Sequence, residues 1–532
     1  MDRFHHKLIG RFVVLAALCA ATLAAATPRT EPAETTSTPV PQVTGPIPVT
    51  ASSYPFLAAD HSTSPLNLRD YGYVEREYFV SGKANVYDWP APGSAVVRTP
   101  NAPYTTRVLV RMPAKRSQFS GNVVVEMLNP SALLDLSVIW AMSHPQILQD
   151  GDAWVGITSK PIAVVALKKF DPARYAALSW ANPLPLSDPR NCTTVAADSS
   201  RTTENGLIYD IFSQVGAWLK SDSPSNPFTY ARAKDGNNQN QDGNNQNNNR
   251  GSDGEGSTVE RLYGTGHSQT GSFLYAYING INPLVVQADG KPIYDGYLVA
   301  VSSGGTLMNQ CAASQPIGDP RRVFKNVGVP IMRVMSQADY RPALWARRAD
   351  SDASPDPYRH YEMAGAAHAT LIEWNFGPPP ADILKSGQPL RPDFCNEGHV
   401  SRFPVGIYFD AMLQNLDTWA REGIAPPHAD PILVQNGVPV FDQFGNAIGG
   451  LRSPYVDVPT STWFMNMHGA PFCPLASWEV PFDAARLSQL YATHDAYVKA
   501  VERDVDALVR DRILTESDGK DLVDEAKRAN VP

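Results

Sequence analysis

Leu262-Tyr263-Gly264-Thr265-Gly266-His267-Ser268-Gln269-Thr270-Gly271-Ser272 is the stretch whose reading decides the fold. A short apolar run enters a cluster of small residues and leaves as a helical pattern over 272–281. A serine in such a tight strand-to-helix turn is held in strained backbone geometry, with its hydroxyl exposed above the sheet. Gly266 and the small flanking residues let the turn close. The N-terminus of the following helix favours developing negative charge, and the Gln269 N–H is placed to stabilise an oxyanion. Ser268 is therefore the candidate nucleophile. The pattern is irregular: Thr270 stands where G-x-S-x-G has its second glycine, and Gly271 comes one residue later. A dinucleotide-binding loop fits less well, because Gln269 occupies the third glycine position of G-x-G-x-x-G and the loop lies mid-chain.

Outward from this turn, apolar and β-branched runs alternate with helical stretches. Residues 108–112, 123–128, 154–158, 262–264, 296–301, 331–335 and 358–363 read as strands, and 210–220 and 272–281 as helices. Buried strands alternating with helices predict an α/β fold, a mostly parallel central sheet flanked by helices. Between about 66 and 98, short polar and aromatic runs with glycine turns predict antiparallel strands.

A serine nucleophile needs a base and an acid, here expected in the order Ser, acid, His, each after a later strand. The strand Val329-Pro330-Ile331-Met332-Arg333-Val334-Met335 ends in Ser336-Gln337-Ala338-Asp339, which puts Asp339 on a turn at the strand's C-terminal end. Asp319, Asp350 and Asp352 end no comparable strand. Tyr361-Glu362-Met363-Ala364-Gly365-Ala366-Ala367-His368 follows, and small residues around Gly365 let His368 approach the nucleophile. His360 begins that strand and is expected at its far end, while His399 and His468 lack a strand context. The second oxyanion donor is expected after 123–128, where Asn129-Pro130-Ser131 follows; Pro130 has no N–H, which leaves Asn129 or Ser131.

Taken together, these segments resemble a group of α/β-hydrolase-domain proteins with a G-x-S-Q-[ST]-G elbow, a V-P-[IV]-x-R-V strand before the acid and an E-x-A-G-x-x-H histidine segment. Here they read 266–271, 329–334 and 362–368, and the segment 442–454 also looks like part of the group's pattern. The resemblance spans about 70–520 and implies an α/β-hydrolase fold and a Ser268, Asp339, His368 triad, without implying a substrate. Relatives carry Glu where Gln337 stands; this chain has no carboxylate there, and Asp339 fits the acid turn.

The chain has 532 residues, 43% hydrophobic, with a formal net charge of -8, 46 Pro and 37 Gly. Such a chain can bury a large core with many loops, and no basic cluster points to nucleic acid or an anionic membrane. At the N-terminus, Arg3, Lys7 and Arg11 precede an apolar run over 12–23 and Ala24-Ala25-Ala26. This reads as a signal peptide over 1–26, because the run is shorter than the ~20 residues of a spanning helix that would act as an anchor. Residues 27–50, rich in Pro, Thr and Ser, read as a tether. Residues 51–480 read as the catalytic domain, and the low-complexity tract 234–256 as a disordered insertion pointing away from the site. Apolar spacing over 481–532 predicts a helical extension packed on that domain. Cys192, Cys311, Cys395 and Cys473 remain after signal removal, suggesting two disulfides with three possible pairings and no zinc spacing.

The combined reading is a secreted or periplasmic serine hydrolase cleaving a small-molecule carboxylic ester, with no cofactor, no metal and no membrane partner after signal removal. A lactonase, amidase or acyltransferase would use the same residues, and a non-catalytic binding protein would keep the fold. Asn191-Cys192-Thr193 is a glycosylation sequon in a eukaryotic host. Loops expected to shape specificity are 160–205, 302–323 and 369–403, the last with Trp374 and Phe376 as a candidate apolar wall.

Overall fold

The buried Val- and Ile-rich runs pair into one nine-stranded sheet. The structure is a computed structural model and describes residues 35–90, 93–229, 258–390 and 394–532. The signal segment 1–26 and the 234–256 tract therefore lie outside the described residues. In chain order the strands are β1 (Gln42–Thr44), β2 (Tyr73–Asp88), β3 (Val96–Pro113), β4 (Asn122–Leu128), β5 (Ala153–Thr158), β6 (Arg261–His267), β7 (Gly296–Ala300), β8 (Ile331–Ser336) and β9 (Tyr358–Met363). Across the sheet they run β9-β8-β7-β6-β4-β5-β3-β2-β1. Strands β4 to β9 are parallel to one another, while β3, β2 and β1 join antiparallel. The helices α1 (Val138–Asp150), α2 (Pro161–Phe170), α3 (Ile208–Leu219), α4 (Gln269–Ala276) and α5 (Gly406–Glu422) accompany them. Every residue of β4, β5, β7, β8 and β9 is buried, as in strands covered on both faces. The predicted α/β architecture is thus present, and each predicted core strand lies within or overlaps a strand of the sheet.

Two regions differ from their reading in the sequence. The antiparallel part is not a set of short strands: β2 and β3 pair from Tyr73 opposite Pro113 to Asp88 opposite Val96, with irregular register between Ala84 and Tyr87. Pro100 and Pro103 obscure this in the sequence. Both precede Val108, where pairing with β5 begins, so they lie where β3 has no second strand partner and a missing N–H is tolerated. The 27–50 stretch is also more than a tether. Thr36 and Ser37 pair with Val285 and Val286, and β1 forms the sheet edge. Backbone pairing at an edge needs little apolar side-chain burial, so composition does not reveal it.

The C-terminal helices α6 (His494–Arg510) and α7 (Glu516–Arg528) bury Tyr497, Val498, Val501, Val505, Leu522 and Ala526 in the same apolar cluster as the sheet. The disulfides are Cys192–Cys311 and Cys395–Cys473. The first ties the 160–205 excursion to the 302–323 excursion.

Buried charges hold the loop after β4. Arg107 on β3 is fully buried, and its Nε donates to Glu77 Oε1 at 2.8 Å while its Nη1 reaches Asp135 Oδ2 at 3.3 Å. Arg174 Nε donates to Glu77 Oε2 at 2.6 Å, and Thr158 Oγ1 donates to Asp135 Oδ2 at 2.5 Å. Removing one partner of such a cluster leaves buried charge unpaired, which typically costs about 3–5 kcal/mol. Arg107→Met is expected to lose stability in that range in urea titration; a loss below about 1 kcal/mol would show that Glu77 and Asp135 do not depend on it.

Candidate active site

Ser268 sits between β6 and α4 with φ 57° and ψ -114°, a backbone conformation that L residues rarely adopt. Hydrogen bonds on both sides hold it there. Its N–H donates to the Ala300 carbonyl at 2.9 Å, and its own carbonyl accepts from Ser272 N–H at 3.0 Å. A Cβ on Gly266 would lie 2.7 Å from the Thr270 carbonyl, so only glycine fits the closing turn. Thr270, the irregular position of the motif, is buried and stitches the turn instead of opening it. Its hydroxyl accepts from His267 N–H and donates to the His267 carbonyl, each at 3.1 Å.

His368 follows β9 and places Nε2 2.8 Å from Ser268 Oγ. Its Nδ1 lies 2.9 Å from Asp339 Oδ2 and 3.1 Å from Oδ1. Asp339 also accepts from Ser336 Oγ at 2.6 Å. Burial opposes a charge on His368, but the Asp339 carboxylate, with help from Glu373, raises its pKa above the ordinary histidine value. The neighbouring ring behaves in the opposite way. His267 lies edge-on to His368 with ring centroids 5.5 Å apart, and burial together with the charge on His368 pushes its pKa well down. Of two adjacent imidazoles, only His368 is set up to carry a proton.

Gln337, the departure from the resembled pattern, joins the acid turn to the histidine loop. Its Oε1 accepts from Gly365 N–H at 2.8 Å, and Ala338 N–H donates to the Ala366 carbonyl at 3.3 Å. Gly365 has φ 82°, and a Cβ there would lie 2.5 Å from the Phe403 ring, so this turn too needs glycine.

The two oxyanion candidates separate. Gln269 opens α4, where an N–H has no carbonyl behind it in the helix. Asn129 is not placed as a donor, which corrects the sequence reading. Its backbone N–H is spent on the Leu136 carbonyl at 2.8 Å, and its Nδ2 donates to the His267 carbonyl at 2.8 Å. It braces the elbow from below. Its Oδ1 also accepts from Ser131 N–H at 2.8 Å, so the Ser131 N–H is committed, while Ser131 itself lines the cavity.

That cavity, about 460 Å³, opens over Ser268. Asp198 from the 160–205 excursion and Ser302, Ser303 and Gly304 from the 302–323 excursion line it, as expected of loops that shape specificity. The 369–403 segment does not supply the expected apolar wall. Trp374 packs on Phe472 at 5.1 Å between centroids, and Phe376 packs on His144 at 4.1 Å. The alternative acids and bases are engaged elsewhere. Asp319 caps a short helix and pairs with Arg321, while Asp350 and Asp352 pair with Arg359. His360 bonds Glu362, His399 packs on Phe394, and His468 pairs with Glu397.

Glu373 is a buried carboxylate near the base that sequence reasoning missed. Its Oε2 accepts from Thr370 N–H at 2.5 Å, closing a capping box, and burial raises its pKa to about 7. The Thr-x-x-Glu spacing at 370–373 is a recognisable helix start, although it does not reveal the approach to His368. Among the described residues no group of His, Cys, Asp and Glu side chains converges as a metal site.

Comparison with known proteins places the chain in a family. No curated protein sequence matches the chain. Among solved structures, a candidate dienelactone hydrolase from Klebsiella pneumoniae is 10% identical, with TM-score 0.25, over 58% of this chain and 95% of that one. A glucuronoyl esterase from Solibacter usitatus is 8% identical, with TM-score 0.24, over 55% and 77%. A glucuronoyl esterase from Teredinibacter turnerae is 10% identical, with TM-score 0.25, over 66% and 77%. The alpha/beta hydrolase domain matches over residues 43–524, most of the chain, and the protein belongs to that family.

Proposed function

We propose that the protein is an exported serine hydrolase that cleaves a carboxylic ester through an acyl-enzyme. The observation that carries this reading is the continuous hydrogen-bonded line from Ser268 Oγ to His368 Nε2 at 2.8 Å and from His368 Nδ1 to Asp339 at 2.9 Å. His368 takes the Ser268 proton as Oγ attacks the carbonyl carbon. Asp339 holds the imidazole in the required tautomer and stabilises its charged form. The Gln269 N–H and the Ser131 hydroxyl receive the oxyanion. The protonated His368 then gives its proton to the leaving alcohol, and water, activated by the same base, releases the acid. Export rests on the N-terminal segment and on the two disulfides, which suit an oxidising compartment. No helix of the described residues is long and apolar enough to cross a membrane.

Ser268→Ala is expected to lower kcat on p-nitrophenyl acetate by about 10⁴–10⁶ and to abolish fluorophosphonate labelling; unchanged turnover would sink the proposal. Ser131→Ala is expected to lower kcat by about 10–10³ with little change in KM. Equal kcat in this variant would remove Ser131 from the oxyanion site.

The pH profile gives an independent check. The base works only when neutral, and Asp339 raises the pKa of His368, so the acid limb of kcat/KM lies above the ordinary value of about 6.5. Asp339→Asn removes the raising charge and leaves burial, which lowers the pKa. The limb is expected to move to lower pH while kcat falls on the order of 10⁴. A limb that stays in place would assign the titration to another group.

A further inference from the structure

The cavity over Ser268 is walled by hydroxyl, amide and carboxylate groups. Ser131, Asp198, Gln269, Ser272, Ser302 and Ser303 face it, against three apolar residues, Val301, Met335 and Pro342. An alkyl chain gains about fourfold in affinity per methylene from an apolar wall, and this wall offers little of that. What it offers is hydrogen bonding with defined polarity. Lys160, buried on the loop after β5, donates from Nζ to Asp198 Oδ2, and Ser199 Oγ donates to Oδ1 at 3.3 Å. Burial opposes the Asp198 charge, but Lys160, Ser199 and the Gln269 side chain together hold its pKa below the usual carboxylate range. The ion pair with Lys160 means that Asp198 does not call for a cationic ligand.

The Gln269 side chain supports Asp198 from behind. A carboxylate only accepts, so the Gln269 amide nitrogen must face Asp198, which fixes the orientation of the amide. Its Oε1 is then left buried without a donor. That oxygen is closed off from the cavity, so the acceptor a ligand meets is the partly exposed Asp198 carboxylate. Across the cavity the Arg322 guanidinium donates from Nη2 to Ser303 Oγ at 3.2 Å. Ser303 therefore accepts from the protein and keeps its own proton to donate. Acceptors on one side and a donor on the other match a group bearing several hydroxyls. The Cys192–Cys311 disulfide joins the two excursions that carry these walls, so the arrangement is preset.

Resting on the serine-hydrolase reading, we propose that the ester cleaved carries a polyhydroxylated, sugar-like group next to the scissile carbonyl, recognised by Asp198 and Ser303. The test compares kcat/KM for two matched pairs: 6-O-acetylglucose against hexyl acetate, and methyl gluconate against methyl hexanoate. The hydroxylated member of at least one pair is expected to be preferred by about ten- to a hundredfold. Ser303→Ala removes the donor and is expected to reduce that preference at least about tenfold. Alkyl members turned over equally well or better in both pairs would overturn the substrate class. So would turnover of neither pair by a protein whose Ser268 reacts with a fluorophosphonate. An undiminished preference in Ser303→Ala would overturn the role of this side chain. Absence of both turnover and labelling would instead bring down the hydrolase reading, and this inference with it.

Discussion

A serine with φ 57° is under strain wherever it occurs, typically about 1–3 kcal/mol, and persists only if its surroundings over-determine it. Here the constraint is met from every side. The Ala300 carbonyl at the end of β7 takes the Ser268 N–H, and the first turn of α4 takes its carbonyl. The Thr270 hydroxyl closes the turn on itself, and the Asn129 amide supports it from the loop after β4. Strands β4, β6 and β7 must therefore keep their register for the hydroxyl to stay at the cavity floor. The all-buried, parallel centre of the sheet supplies that rigidity.

His368 and Asp339 are fixed by contacts with each other as much as by contact with Ser268. Gln337 and Ala338 bond the histidine loop directly, so the Asp339 turn and the His368 loop form one unit. Within it the electrostatics are divided. His368 gains a proton more readily because of Asp339, whereas His267, more deeply buried beside it, is kept neutral. A second protonated ring at that distance would oppose the charge that His368 takes on during proton transfer. The low proton affinity of His267 thus follows from the same burial that makes it part of the elbow.

The sequence carried the parallel core clearly, because each of those strands is a short apolar run bounded by loops. It also carried Ser268, Asp339 and His368, since chain order and strand ends constrain where such residues can sit. Helix α1 was not legible: it is buried on most sides, so it has no strong periodicity, and it contains Pro145. Its N-terminus is completed from another element, with Glu126 in the middle of β4 accepting from Ile139 and Trp140 N–H at 2.9 and 3.1 Å. A carboxylate inside a strand gives no local sign of which helix it will cap. The Asn129 reading differs from the structure for a related reason. Position after a strand marked Asn129, but only the three-dimensional pairing with Leu136 and His267 shows that its backbone N–H and its side-chain amide are already engaged.

The residues that flank the reactive groups in the resembled motifs have a common physical role, which explains why they sit in buried strands despite their charge. Arg333 of β8 has no buried apolar alternative for its guanidinium; it donates from Nε to the Ser302 carbonyl at 3.2 Å and approaches His360 Nδ1 at 3.4 Å. That fixes the start of the cavity-lining loop. His360 accepts at Nδ1 and so donates from Nε2 to Glu362 Oε1 at 2.9 Å. Burial alone would raise the pKa of Glu362, but His360 and Arg347 bring it down to about 2. Glu362 Oε2 also accepts from Ile432 N–H at 3.0 Å, its carbonyl accepts from Leu451 N–H at 2.6 Å, and the Leu451 carbonyl in turn accepts from Ala364 N–H at 2.9 Å. The 442–454 segment is thereby fastened beside β9, just before the histidine loop. A chain of buried charges runs from the cavity rim, beneath the acid turn, to the base of the His368 loop. Loops at strand ends expose carbonyls that an apolar core cannot satisfy. Long cationic and amide side chains reaching up from the strands satisfy them, so the same motif that supplies the reactive groups also supplies the struts that keep them 2.8 Å apart.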